Sequence, residues 1–136
     1  MSKSNAFETA MLAKVFKATA LSWDAETYLT IHLHTDIPAE GDASTVNECA
    51  YTGYAGNQPD VARSAVGWDV TGNTAKNLSD IVFPQCTGAP ETIKGVSITP
   101  KNSTVILYSG ELNDYLAVAN LIQPKFAAEA LTITED

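Results

Sequence analysis

The chain has 136 residues, enough for one domain that buries a core without disulfides or metals. Hydrophobic residues make up 45% and charged residues 18%, a balance that excludes a disordered chain. Eight basic residues against 16 acidic ones give a net charge of −8, which disfavours a nucleic-acid partner. No apolar run approaches the ~18 residues of a membrane span, so a single unit over residues 1–136 with no membrane partner is expected.

In chain order, Asn5-Ala-Phe-Glu8 has the spacing of a helix start. Asn5 is placed to cap, and Glu8 to return the hydrogen bond and favour the positive end of the dipole. Phe7, Met11, Leu12, Val15 and Phe16 recur three to four apart, so the spacing predicts one amphipathic helix over about residues 5–18, with Lys14 and Lys17 near its C-terminal end. A lone helix of that length is marginal unless packed. Its stripe is expected to dock on its own domain, with a neighbouring subunit as the alternative.

Beyond Trp23 the helical period disappears. Tyr28-Leu-Thr-Ile-His-Leu-His34 alternates strictly, placing Leu29, Ile31 and Leu33 on a core face and Tyr28, Thr30, His32 and His34 on a wetter one. An acidic loop over residues 35–44 follows, then a possible short strand at Glu48–Tyr54 and an exposed turn at Gly56–Asp60. Further short runs at Val66–Val70, Leu78–Phe83, Thr92–Ile98, Thr104–Tyr108, Leu116–Ala119, Pro124–Phe126 and Leu131–Thr134 read as strands closed by turn residues, among them Ser109-Gly-Glu111. Many short strands at even spacing predict a mainly β fold, an antiparallel β-sandwich of jelly-roll-like type with one N-terminal amphipathic helix. A strand pattern that runs almost to the last residue marks a C-terminus held in a sheet.

The chemistry-bearing residues give no catalytic pattern. His32 and His34 share a strand face, but a zinc site needs about four ligands, or three plus water, and no further ligand has a recognised spacing. Serines lie without a nucleophile elbow, and there is no Gly-rich phosphate loop. Cys49 and Cys86 are far apart and read as small buried hydrophobes, with a disulfide conceivable only in an oxidising compartment. Tyr51, Tyr54, Trp68 and Tyr108 suit either a sugar-binding platform or partly buried β positions. No enzyme activity and no cofactor or metal is expected.

Taken together, the segments Tyr28–Thr35 (YLTIHLHT), Glu48–Ala55, Arg63–Val70, Ile81–Gly88, Leu107–Leu112 (LYSGEL) and Phe126–Asp136 make a pattern covering nearly the whole chain. In that pattern the chain resembles a family of small bacteriophage structural proteins, often labelled tail-fibre-like. It departs from the family between Tyr54 and Arg63, where a regular strand is more usual, and at Glu129, where glycine is usual. Small β-sandwich proteins of tailed phages also resemble capsid cement or decoration proteins, which sit as dimers or trimers over junctions of the shell. The resemblance therefore implies a mechanical role on the capsid exterior, with the major capsid protein and further copies of the chain as partners. A short chain lacks the repetitive shaft of a fibre, which favours the capsid; a small tail or tail-fibre component that binds a host receptor is the alternative. Expected contacts are Phe7, Met11 and Val15 on the helix, Asp36, Glu40 and Asp42 in the acidic loop, and Asn57 and Asp60 at the turn. Tyr51, Tyr54 and Trp68 are the candidates for a glycan.

Overall fold

The computed structural model describes residues 1–136. The elements run β1 (Ser2–Lys3), α1 (Asn5–Lys17), β2 (Tyr28–His34), β3 (Asp60–Ala62), β4 (Trp68–Thr71), β5 (Thr74–Asn77), β6 (Ile81–Val82), β7 (Glu91–Pro100), β8 (Tyr108–Val118), β9 (Lys125–Phe126) and β10 (Thr132–Thr134). They form a five-stranded sheet in the order β1-β8-β7-β2-β3, a three-stranded sheet β10-β5-β4 and a two-stranded sheet β6-β9. Every pairing is antiparallel. The chain is thus the mainly β, antiparallel sandwich with one N-terminal helix that its short strands imply.

The alternation of β2 builds the core. Ile31 and Leu33 pair in register with Ile98 and Val96 of β7, and all four are buried in one apolar cluster with Ile81, Phe83, Leu131 and Ile133 from the smaller sheets. The cluster draws on all three sheets because hydrophobic burial is non-directional and rewards any apolar face brought against another. Cys49 and Cys86 are free thiols within it, and burial pushes the Cys49 thiol well above its ordinary range. Both behave as small hydrophobes, not as nucleophiles.

The C-terminus is locked by polar contacts as well as by β10. Thr132–Thr134 pairs with Lys76–Thr74 of β5, and Asn77, fully buried at the end of β5, fastens the segment before it. Its Nδ2 donates to the carbonyls of Ser79 and Ala127 at 2.8 and 2.9 Å, and its Oδ1 accepts from the Leu131 amide at 2.9 Å. Glu135 then accepts from Lys3 Nζ at 2.7 Å and from the Tyr108 hydroxyl, tying the last residues to β1 and β8. Glu129, in the stretch between β9 and β10, has φ of 64°, the left-handed region that glycine occupies without strain. That conformation is the physical reason a glycine suits this position.

Several expectations are corrected. Glu48–Tyr54 is not a strand: it ends in a turn and meets β2 through an isolated His34–Glu48 bridge, with the Cys49 amide donating to Leu33 O at 2.9 Å and the Tyr54 hydroxyl accepting from the Leu33 amide at 3.0 Å. Ser109-Gly-Glu111 is not a turn: it lies inside β8, which also absorbs the run expected at Leu116. Met1 packs over this glycine, and a Cβ on Gly110 would meet Met1 Cγ at 3.0 Å. β5 was not expected; it pairs back on β4 across a two-residue turn whose Gly72 has φ of 62°, the sign that primed hairpin turns require. The cap of α1 is Ser4, whose Oγ accepts from the Phe7 amide at 3.1 Å, and not Asn5.

Candidate interaction surface

The helix is anchored at one end only. Ser4 is buried, its amide donating to Leu107 O at 3.1 Å and its hydroxyl to Ile106 O, while the Asn5 amide donates to Glu40 O at 3.0 Å. Phe7 sits against Trp23 and Tyr108, with ring centroids 5.9 and 5.3 Å away, and is itself buried. After this first turn the apolar stripe leaves the domain. Met11 is half-buried, whereas Leu12, Val15 and Phe16 are 60%, 67% and 79% exposed. The expectation that the whole stripe docks on its own sandwich therefore holds for Phe7 and fails for the C-terminal half. A Lys14–Asp24 ion pair at 3.5 Å is the polar tether of that half, and exposed pairs of this kind contribute only ~0–1 kcal/mol.

A cleft of about 800 Å³ opens between the five- and three-stranded sheets. Leu29 and Ile98 supply one wall, Trp68, Val70 and Ile133 the other, with Asp69 and Glu135 also on its lining. Two of the sheets' facing surfaces thus meet incompletely here. Trp68, predicted as part of an aromatic platform, is the most informative of these residues: its indole Nε1 is buried and has no hydrogen-bond partner. Buried donors are nearly always paired, so this enclosed orphan is an exception within the wall of the cleft.

The two histidines lie on the second face of β2, and that face is not wet. The acidic loop and the turns after it fold back over it, leaving His34 fully buried and His32 nearly so. His34 Nδ1 lies 3.0 Å from Val46 O, a carbonyl that can only accept, so Nδ1 carries the proton and Nε2 accepts from Ser97 Oγ at 2.8 Å when the ring is neutral. Burial holds the His34 pKa below its ordinary value. His32 Nδ1 donates to Glu48 Oε1 at 2.6 Å, and the same carboxylate accepts from Tyr54 at 3.0 Å and Gln58 at 2.9 Å. Burial acts to raise the Glu48 carboxyl, but those three hydrogen bonds outweigh it and leave the pKa below the usual value. No three His, Cys, Asp or Glu side chains converge as metal ligands. The network fastens a loop to a sheet and exposes no reactive group.

The remaining predicted contacts divide by burial. Tyr51 and Tyr54 are each 1% exposed, their hydroxyls donating to Pro84 O at 2.7 Å and to Glu48, so they are core residues and not a glycan platform. Asp36, Glu40, Asn57 and Asp60 are exposed, and Asp42 is half-buried with its carboxylate accepting from the Ala39 amide at 2.9 Å. Asp60 starts β3 and is already paired, with Lys101 at 2.8 Å and Thr30 at 2.6 Å. Asn57 turns its amide onto Gly53 O and Ala55 O. Of the eleven candidates, Met11, Val15, Glu40 and Trp68 therefore retain uncovered surface, and the exposed Asp36 carboxylate accepts from the Ile37 amide at 2.9 Å. The cleft itself was missed, because its walls come from strands distant in sequence.

The apolar surface that the domain leaves uncovered is thus a helical stripe and a cleft between sheets. Residues 2–134 match the family described as podophage GP4 fiber I protein gp80. The chain belongs to that family. It is accordingly a bacteriophage virion structural protein, as the resemblance in its segments implies. No curated protein matches the chain. No helix is long and apolar enough to cross a membrane.

Proposed function

We propose that the chain is a tail-fibre component of a short-tailed phage, a rigid β unit that acts by surface contact, without enzymatic turnover, as a homo-oligomer. The observation that carries this reading is that the family, described by a fibre protein, matches residues 2–134 and so takes in the entire sandwich. Three features support a contact role. The C-terminal half of α1 keeps its apolar stripe uncovered, both histidines are engaged in internal hydrogen bonds, and a net charge of −8 disfavours the packaged genome as a partner.

The competing reading is a capsid cement that binds across major capsid protein subunits on the shell exterior. It is favoured by the exposed acidic side chains of Asp36 and Glu40, which suit basic patches on a shell. Deletion separates the two. Particles that lack the protein and fail to adsorb, with unchanged resistance to heat and low salt, support the fibre reading. Particles that adsorb normally but break open under those conditions overturn it in favour of cement.

A further inference from the structure

We propose that the C-terminal half of α1 from one copy seats in the inter-sheet cleft of a second copy of this chain. The proposal rests on the reading of the chain as an assembly subunit and names the surface through which assembly runs. Each of the two surfaces lacks what the other offers. On the helix, Leu12, Val15 and Phe16 present an uncovered apolar stripe, the pattern by which amphipathic helices enter apolar grooves. In the cleft, the walls around Leu29, Val70 and Ile133 leave about 800 Å³ open.

The polar groups match as well. The amides of Ala18 and Thr19 both turn back to Ala13 O, so the carbonyls of residues 14–17 end the helix without intrahelical partners. Those acceptors lie beside Phe16, the most exposed apolar residue of the stripe. The free charges are opposite in sign: Lys17 has no ion-pair partner within the chain, and Asp69 in the cleft meets only the Thr71 hydroxyl. Because the contact joins helix to cleft, two copies satisfy it by reciprocal exchange and more copies by closing a ring.

Sedimentation of the full chain over a concentration series tests this with two variants. Phe16→Asp alters the helix and Val70→Asp the cleft; both side chains are exposed in the lone chain, so circular dichroism should show the fold intact. The wild type is expected to be oligomeric and each variant alone monomeric, with association weakened about tenfold or more, as loss of a central anchor does. An equimolar mixture of the variants is expected to associate again, since each retains the half that the other has lost. A monomeric wild type, a variant that stays oligomeric alone, or a mixture that stays monomeric overturns the proposal, the last by pointing to a helix-to-helix contact. A monomeric wild type that still enters virions overturns it while the assembly reading stands; a protein absent from virions removes that reading whatever its solution state.

Discussion

Replacing Asn77 by alanine tests whether the C-terminal segment is held by its polar clamp. The side chain is fully buried and makes three hydrogen bonds, two as donor and one as acceptor. Their partners differ in what happens when the amide is removed. Leu131 is buried, so its N–H is left without water and costs about 1–3 kcal/mol. Ser79 and Ala127 are exposed residues, so water replaces the lost donors and each bond forfeits no more than about 0.5–1.5 kcal/mol. The sum is about 2–6 kcal/mol, a large share of the ~5–15 kcal/mol of a typical domain. Urea unfolding is expected to show a lower midpoint at unchanged slope, the sign of altered stability with the same surface exposed. Hydrogen exchange should quicken first at Leu131 and along β10. A loss under about 1 kcal/mol, below the price of a single buried orphan amide, would refute the clamp.

Other perturbations reach different parts of the fold. His34 has a folded pKa below its ordinary 6.5, so the unfolded chain binds more protons as the pH drops below that value and stability must fall. A thermal midpoint that declines from neutral pH toward pH ~5 and flattens in His34→Asn checks the sign; a midpoint that rises on acidification contradicts it. Glu48, whose folded pKa lies below its ordinary 4.5, adds a separate loss as the pH falls beneath that value, and Glu48→Gln should remove it. Glu129→Gly relieves about 1–2 kcal/mol of left-handed strain against about 0.4–1 kcal/mol of added chain entropy. A midpoint raised by a few degrees is expected in a melting curve, and an unchanged or lowered one counts against the strain. Gly67→Ala would place a Cβ 2.1 Å from Ala62 O, so calorimetry should show a loss of at least the ~1–3 kcal/mol of overpacking.

What the sequence makes legible follows the range of the interactions. The alternation of Tyr28–His34 gives β2 to the residue, because period-two patterning is written in neighbouring side chains. It misplaces the histidine face, because the loop that covers it reaches back to Glu48, and that contact has no local signature. Glu48–Tyr54 carries strand-forming tyrosines, yet they are spent as buried rings that meet at 5.2 Å and as donors to distant oxygens. Here tertiary context overrides β propensity. The stripe on α1 is readable as amphipathic, but which of its residues stay uncovered depends on how far the sandwich extends beneath them. The cleft and the orphan indole of Trp68 arise from the meeting of two sheets and have no sequence signal beyond an aromatic residue in a strand.

The central claim, that this virion protein serves the tail fibre, is tested most directly by locating and counting it in whole particles by cryo-electron microscopy. The account predicts density for the sandwich at the tail alone, in a small number of copies set by tail symmetry. Density repeated over the capsid surface, with hundreds of copies on the order of its subunits, would contradict it.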